Sequence, residues 1–414
     1  MTFTRSAKLA FLQTKNCILP VRLLCILIEF YAQSLQTRQR ARLLITFLQI
    51  LKQKIAYFYL AKLAYLDAQY SKALNLLESY LQTKPDNVDA LYLKMRLLVF
   101  LKKGKEFLKT FELCLKNSNR LKTFIEAAAL VENEKELQQF LDITKANENN
   151  FAKFQNNQAI IKNELSNAAK NAKNYALAKQ YAKESLFLKQ KTTQKLPMRY
   201  KDAKEALRDL AVLLEKNGIE MFLISGLFLG AIREKNILKH DYDLDVGIDA
   251  MNLETLQNIF SSSPVWTLKN TRYKGGIQAN HSNGVYVDVF FHYEENGFLY
   301  HDGDFVRWKN SPFELERREF LGSHFLMPKD FELYLSENYG KEWRKNKNSK
   351  EYNTFLDTPN MEITNKEEYI LCLMKLLKSE FAKDNEERIL TALLMQGEQQ
   401  FVQEYKELYK GKKL

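Results

Sequence analysis

Three aspartates alternate with other residues in one short segment, and carboxylates in this pattern could bind a cation. The segment is HDYDLDVGI, residues 240–248. Side chains of a β-strand alternate between its two faces, so Asp241, Asp243 and Asp245 are expected to share one face. Neighbouring carboxylates repel one another unless a cation or a proton lies between them. Since hard oxygen ligands suit Mg²⁺, the segment predicts a metal site on a strand; the alternative is a solvated acidic turn.

A further aspartate stands in an apolar segment, VYVDVFF, residues 285–291. The Asp288 carboxylate is costly to bury in such a strand without a partner. If this strand lies beside the first one, Asp288 completes a site of three carboxylates. Two metal ions in such a site could clamp the attacking and leaving oxygens of a phosphoryl transfer. The alternative is an edge-strand aspartate that accepts hydrogen bonds from backbone groups.

A glycine-containing segment precedes the aspartates and suits phosphate binding. Residues 219–224 are predicted as a buried strand, and SGLFLGAIR, residues 225–233, follows it. Gly226 at the strand end would let the backbone approach a phosphate closely. The start of the following helix would offer N–H groups and the positive end of the helix dipole. Arg233 could reach phosphate oxygens, or it could form a surface salt bridge with Glu234 or a neighbour.

Together these segments resemble the LicD/fukutin family. SGLFLGAIREKNILKHDYDLDVGI is similar to the family's glycine and DxD signature, and VYVDVFF is similar to its hydrophobic-Asp-hydrophobic strand. FLMPKDFELYLSENYGKEW is similar to its trailing segment around a YGxxW motif. The resemblance covers about residues 199–343. Two positions depart from the family pattern, because Leu227 replaces a threonine and His240 replaces a tryptophan. These departures bear on the substrate more than on the chemistry.

The resemblance implies a nucleotidyltransferase-like α+β fold and a phosphotransferase activity. Such an enzyme moves a phospho-alcohol, for example phosphocholine or a polyol phosphate, from a CDP-linked donor to a cell-surface glycan or its lipid-linked precursor. Mg²⁺ or Mn²⁺ would be the cofactor. The resemblance gives the metal-ligand positions to Asp243, Asp245 and Asp288. The positions expected to bind substrate are Ser225, Gly226, Gly230, Arg233 and His240, although His240 could equally pack in a loop. Either Asp241 or Asp288 would take the acceptor proton.

The first half of the chain is predicted to be helical. Gly104 is the only glycine before Gly218, and Pro20 and Pro85 are the only prolines before Pro197. Tight turns are therefore few, and helices joined by short links are expected. One segment follows the tetratricopeptide spacing, at Tyr57, Leu60, Ala61, Ala64, Ala73, Leu77 and Pro85. This spacing predicts helical hairpins with a concave binding surface, although a plain helical domain would have a similar pattern.

The predicted fold class is α+β, in three parts. Residues 1–53 form basic N-terminal helices, and residues 54–196 form a tetratricopeptide-like all-helical solenoid. Residues 197–414 form a LicD/fukutin-like, nucleotidyltransferase-like domain with a mixed sheet and C-terminal helices. The apolar spacing of residues 203–214 predicts a helix at the start of this last part, with Gly218 just beyond its end.

The charge distribution suits an anionic partner. The net charge is +12, and residues 1–60 hold nine basic residues against the single acidic residue Glu29. The basic end could bind a membrane surface, a protein, nucleic acid or an acidic glycan, or it could be a solvated helix face. No apolar stretch is long enough to span a membrane, and residues 1–16 lack the pattern of a secretory signal. The four cysteines suggest neither a zinc site nor a disulfide scaffold. A cytoplasmic protein is expected, with a peripheral position at the inner membrane face left open.

Two other functions remain open. The chain could be a nucleotidyltransferase that acts on RNA or on a protein. It could also be an adaptor whose helical half binds a partner while the transferase domain is inactive. Nucleic acid is not favoured, because the sequence has no RNA-recognition motif and no interleaving of basic and aromatic residues. Partner binding without binding of Mg²⁺ or CDP ligands would favour the adaptor.

Overall fold

The chain forms two compact units in a computed structural model. The model describes residues 10, 14, 17–32, 35–101, 103–118, 121–147, 157–188, 198–239, 241–263, 265–269, 273–345 and 351–410. The first unit contains Met1–Tyr181, Leu188–Gln190 and Ser261–Thr267, and the second contains Ala182–Phe187, Lys191–Phe260 and Leu268–Leu414. The predicted boundary at residues 196 and 197 lies outside the described residues, so the three-part division stays a prediction.

The first half of the chain is helical, as the scarcity of glycine and proline predicts. The described helices up to residue 188 are α1 Leu19–Tyr31, α2 Leu35–Ile50, α3 Ile55–Leu66, α4 Tyr70–Leu81, α5 Val88–Phe100, α6 Gly104–Asn117, α7 Lys122–Ala128, α8 Glu134–Ala146, α9 Gln158–Asn171 and α10 Tyr175–Leu186. Asn87 caps α5 by accepting a hydrogen bond of 2.9 Å from the Ala90 N–H, which satisfies a backbone donor that the helix leaves unpaired.

Helices α3 and α4 cover the segment with tetratricopeptide spacing. The small residues Ala61 of α3 and Ala73 of α4 are fully buried. Leu77, which lies one turn after Ala73 on α4, is also fully buried. Small buried residues allow two helices to approach closely, which agrees with a helical hairpin. The assignment of these hairpins to the tetratricopeptide class stays a prediction.

The second half of the chain contains the sheet. Its described elements are α11 Tyr200–Glu215, β1 Met221–Leu223, α12 Ser225–Arg233, β2 Asp243–Asp249, α13 Leu253–Ser262, β3 Trp266–Leu268, β4 Gly276–His281, β5 Tyr286–Glu295, β6 Phe298–Asp302, β7 Val306–Asn310, β8 Leu315–Phe320, β9 Ser323–Pro328, α14 Phe331–Tyr339, α15 Thr354–Asp357, β10 Met361–Ile363, α16 Lys366–Leu376, α17 Ala382–Met395 and α18 Gln399–Lys410. This order confirms the predicted fold class, a helical region followed by a mixed-sheet domain with C-terminal helices.

The sheet brings together strands that are distant in sequence. Its order is β10-β7-β6-β5-β2-β1-β9-β8, and β4 pairs with the first half of β5. The β2–β5 and β1–β9 pairs are parallel, while β1–β2 is antiparallel. One face of β2 forms core, because Leu244, Val246 and Ile248 have no solvent exposure. The alternate residues of β2 therefore lie on the opposite face, as the period of two requires.

The junction helix α11 matches its sequence pattern. It buries Ala203, Ala206, Leu207, Leu210 and Leu214, a stripe that recurs every three or four residues. It ends at Glu215, just before Gly218. Among the helices of the described residues, none has both the length and the hydropathy of a membrane-spanning segment.

Candidate active site

Strands β2 and β5 place two aspartates side by side. The two strands are parallel neighbours, and Asp245 of β2 lies directly opposite Asp288 of β5 in the register. Asp243 lies two residues before Asp245 and so on the same face of β2. Leu244 is fully buried between them on the other face. The alternation seen in the sequence thus places three carboxylates on one side of the sheet.

Asp241 belongs to a turn, which corrects the prediction that it lies on the strand. Strand β2 begins at Asp243. The Asp241 N–H donates to the Leu238 carbonyl at 3.0 Å, and its own carbonyl accepts from the Met198 N–H at 2.9 Å. Because these backbone groups are used by the turn, they are not available to the sheet. The Asp241 side chain still lines the same cavity as the other three carboxylates.

The carboxylates strongly influence one another. Burial raises the pKa of Asp245 well above its usual range, and the neighbouring charges of Asp243 and Asp288 raise it further. Burial likewise raises the pKa of Asp241, with Asp243 as the main charged neighbour. Burial raises the pKa of Asp288 to about 7, and a hydrogen bond from Tyr286 opposes that rise. Bringing these groups together in a partly dry site therefore costs free energy unless a proton or a cation compensates.

Asp288 is held by polar neighbours. The Tyr286 hydroxyl donates to Asp288 Oδ1 at 2.9 Å, and Gln278 of β4 lies opposite Asp288 in the register. The Lys269 ammonium lies 4.2 Å from the centre of the Tyr286 ring, and its positive charge lowers the pKa of Asp288. Because β5 pairs with β2 on one side and with β4 on the other, the backbone of Asp288 is fixed on both sides.

The donor chemistry of this cluster fits a divalent cation, although the side chains are not already closed around one. Four carboxylates line one cavity, and oxygen ligands of this kind suit Mg²⁺ or Mn²⁺. A cation would also offset the burial and the mutual repulsion that raise the pKa values of these carboxyls. Among the residues that the structure describes, no three His, Cys, Asp or Glu side chains are grouped as a ready metal site.

The start of α12 faces the carboxylates. Ser225 is its first residue and adopts a left-handed backbone with φ of 50°, a conformation that non-glycine residues rarely adopt. The Gly226 N–H faces the Asp245 carboxylate and favours its charged form. A Cβ placed on Gly226 would lie 2.9 Å from Asp241 Oδ2. Gly226 therefore lets the helix start approach two of the carboxylates.

The cavity above the carboxylates has a volume of about 470 Å³. Its polar end is formed by the four aspartates together with Ser225 and Gly226. The lining also includes an aromatic wall, defined here as Phe290, Trp308, Tyr339, Trp343, Tyr352 and Phe355. A cavity of this size that combines charged groups with aromatic surface is typical of a small-molecule site.

Of the remaining predicted site residues, Arg233 lines the cavity and also binds neighbouring backbone carbonyls. Arg233 lines the cavity, but its Nη1 donates to the carbonyls of Trp343 and Lys345 at 3.1 and 3.2 Å. Its Nε donates to Glu234 at 2.9 Å, so the salt bridge considered in the sequence is also present. Arg233 thus ties α12 to the segment that carries Trp343.

Gly230 does not line the cavity. It is buried in α12, where a Cβ would lie 2.6 Å from the carbonyl oxygen of Asn236. Since that neighbour is backbone and cannot rotate away, glycine is required for close packing of the loop that leads to Asp241. The predicted donor position His240 lies outside the described residues.

The aromatic wall is the part of the cavity that the sequence did not predict as a site. Trp343 is only 5% exposed, so its ring is also packed in the protein interior. The His301 ring stacks on Trp308 with a centroid distance of 4.9 Å. His301 is buried in the cavity lining, and burial lowers its pKa well below the usual range. The spacing of Tyr339 and Trp343 around Gly340 was the signal available in the sequence.

Comparison with known proteins supports the family resemblance. Residues 218–330 match the family model LicD/FKTN/FKRP, nucleotidyltransferase domain. The human ribitol-5-phosphate transferase FKTN is 28% identical over 154 residues, which cover 35% of this chain and 33% of that protein. The human ribitol 5-phosphate transferase FKRP is 31% identical over 134 residues, which cover 30% of this chain and 26% of that protein. A protein of Rickettsia prowazekii is 31% identical over 100 residues, covering 23% of this chain and 35% of that protein.

The extent of these matches separates two parts of the site. The chain spans about a third or less of the length of the human relatives. The matched residues 218–330 include all four aspartates, Ser225 and Gly226. The match ends before Tyr339, Trp343 and Tyr352, so much of the aromatic wall lies beyond it.

Proposed function

Because residues 218–330 carry a LicD/FKTN/FKRP nucleotidyltransferase domain, we propose that the chain is a metal-dependent phosphotransferase. It moves a phospho-alcohol from a CDP-linked donor to a hydroxyl of a glycan or a lipid-linked glycan precursor. Two of the relatives are named as ribitol-phosphate transferases, so a polyol phosphate is the first alcohol to test. Phosphocholine is the second.

The observation that carries this proposal is the pairing of Asp245 with Asp288 at the polar end of the cavity. The two carboxylates are directly opposite in the β2–β5 register, and both have raised pKa values. A purely structural role would not require repelling groups to be placed together. A site that neutralises them with a divalent cation when substrate binds would make use of this cost.

The residues that would hold the cation are Asp243, Asp245 and Asp288. When bound, Mg²⁺ or Mn²⁺ would neutralise charge on the donor pyrophosphate and on the leaving CMP. Ser225 and Gly226 border the same end of the cavity, where the donor phosphates would lie. Arg233 would act mainly as a positioning residue, since its guanidinium binds the backbone around Trp343.

The transfer itself requires one proton acceptor. The acceptor hydroxyl oxygen forms a bond to the alcohol-side phosphorus of the donor, the bond from that phosphorus to CMP breaks, and the hydroxyl proton moves to a carboxylate. Asp288 and Asp241 are the two candidates for that role.

Ligand binding can be tested by thermal unfolding with CDP-alcohols, CTP and CMP, each with and without Mg²⁺. A ligand at about 100 times its Kd adds roughly 2.7 kcal/mol to the stability of the unit that binds it. We expect a Mg²⁺-dependent shift with one CDP-alcohol, and loss of that shift in Asp245→Asn. The control is Asp249→Asn, which changes an exposed aspartate at the other end of β2.

Each other outcome has a distinct meaning. A shift with CTP but with no CDP-alcohol would replace the proposal with nucleotidyl transfer. No shift with any of these ligands, in a protein that binds a partner tightly, would favour the adaptor. In a transfer assay with the correct donor, Asp243→Asn and Asp245→Asn should abolish activity while the circular dichroism spectrum is retained. Full activity in either variant would refute the assigned metal site.

A further inference from the structure

The first helix exposes its apolar side chains and buries a different stripe. In α1, Val21, Cys25 and Ile28 are buried. Leu19 and Leu23, on another face, are 67% and 53% exposed. A surface helix normally places charged or polar residues on its solvent side. Helix α1 instead has two apolar faces, of which only one is buried in the protein.

The second helix repeats this arrangement. In α2, Leu43, Phe47 and Ile50 are 65%, 56% and 69% exposed. Their spacing of four and three residues places them on one face of the helix. The buried stripe, which includes Ala41, Ile45 and Leu48, lies on the opposite side at 100° per residue. The outward face of α2 is thus apolar over about two turns.

The charges near these exposed residues are mainly positive, and the nearby carboxylate of Asp67 pairs with Arg38 and Arg42. Between residues 17 and 60 the acidic residue is Glu29 alone. Glu29 is 2% exposed and forms a salt bridge with Lys62. The basic residues Arg40, Lys52 and Lys54 are exposed. The outward side of this helix pair therefore combines apolar and cationic groups without an exposed carboxylate in that segment.

We propose that α1 and α2 dock on a membrane surface that contains anionic lipids. Apolar side chains on one helix face, with cationic residues nearby, are the features of helices that lie in the membrane interface. Anionic headgroups attract Lys and Arg within a Debye length. Nucleic acid would use the cations but would leave Leu43, Phe47 and Ile50 in water. The helices lie on the surface and do not span it, and the docking is independent of the reaction proposed above.

The full chain can be tested by flotation with lipid vesicles. Vesicles of phosphatidylcholine with phosphatidylglycerol should carry the protein, and vesicles of phosphatidylcholine alone should carry much less. Changing Arg40, Lys52 and Lys54 singly to glutamine should each lower the affinity for the anionic vesicles by about fivefold. Raising the salt concentration should weaken the binding for the same reason.

A triple variant tests the apolar part of the surface. Leu43→Gln, Phe47→Gln and Ile50→Gln together should lower vesicle affinity by about tenfold or more, since each side chain loses burial in the interface. The matched control is Val212→Gln with Met395→Gln, which changes exposed apolar residues of the second unit. If the triple variant does not fold, Leu19→Gln with Leu23→Gln on α1 provides the same test.

Three outcomes would overturn the proposal. The first is absence of binding to anionic vesicles by the wild-type chain. The second is binding that survives the changes on α2 and α1 but is lost when the basic residues of 1–16 are changed, because the outward helix faces would then not be the contact. The third is a dimer, measured by light scattering, that the triple variant dissociates while vesicle binding is absent. That result would assign the same surface to a second copy of the chain.

Discussion

Replacing Asp288 by asparagine should stabilise the metal-free protein, and the gain should be larger at high pH. Burial raises the pKa of this carboxyl from 3.8 to about 7. A carboxyl whose pKa is higher in the folded state binds more protons there than in the unfolded state, so stability falls as pH rises from about 4 to about 7. At about 1.36 kcal/mol per pKa unit, the cost is roughly 4 kcal/mol at pH 8 and roughly 2 kcal/mol at pH 5.

The expected effect is smaller than this full cost. Asp288 keeps partial contact with solvent through the cavity, and the asparagine can still accept the hydrogen bond from Tyr286. We therefore expect a gain of about 2 kcal/mol at pH 8 and about 1 kcal/mol at pH 5. The assay is urea unfolding in EDTA at both pH values, followed by circular dichroism and by tryptophan fluorescence. Trp308 and Trp343 report on the second unit, to which they belong.

The control variant is Asp249→Asn. Its difference in unfolding free energy between pH 5 and pH 8 should equal that of the wild type. Divalent cation added in place of EDTA should reverse the ranking, because it stabilises the wild type through Asp288. The reasoning would be refuted if Asp288→Asn gave the same change at pH 5 and pH 8, or if it destabilised the metal-free protein at pH 8.

Three further predictions concern packing, capping and a buried charge. Gly230→Ala should destabilise the second unit by about 1–3 kcal/mol in urea unfolding, because its Cβ would lie 2.6 Å from the Asn236 carbonyl and the backbone must move; an unchanged midpoint would contradict the close contact. Asn87→Ala should cost about 1 kcal/mol of unfolding free energy through loss of the α5 cap, whereas Asn87→Asp should retain most of it. Lys62→Met should lower the unfolding free energy by about 1–3 kcal/mol, since the buried Glu29 carboxylate loses its salt bridge with Lys62; the double variant with Glu29→Gln should recover part of the loss in the same measurement.

The carboxylate site could largely be predicted from the sequence because its signals are local. The alternation around Leu244 placed Asp243 and Asp245 on one face of a strand, and period two is a property of the strand alone. Asp288 stood out because a lone charge in an apolar strand needs a partner. The pairing of β2 with β5 is not a local property. The sequence therefore predicted a site of three carboxylates only if these two strands were neighbours.

Other parts of the site depend on contacts that no local pattern carries. Asp241 fits the alternation, yet its backbone bonds to Leu238 and Met198 place it in a turn. Arg233 has the charge to bind phosphate, but its neighbours in space are the carbonyls of Trp343 and Lys345. The aromatic wall gathers residues from separate elements, so no single segment of the sequence contains the whole of it. The tertiary arrangement decided each of these cases.

The in-register pair of Asp245 and Asp288 also links the chemistry of the site to the order of folding. Strands β2 and β5 are parallel and separated by α13, β3 and β4, so the pair forms only after that long loop has closed. Such non-local pairing is slow, because the entropy of loop closure is lost before the contacts form. The two carboxylates therefore become neighbours only when the sheet has formed, so their mutual repulsion belongs to the folded state and is absent from the unfolded chain.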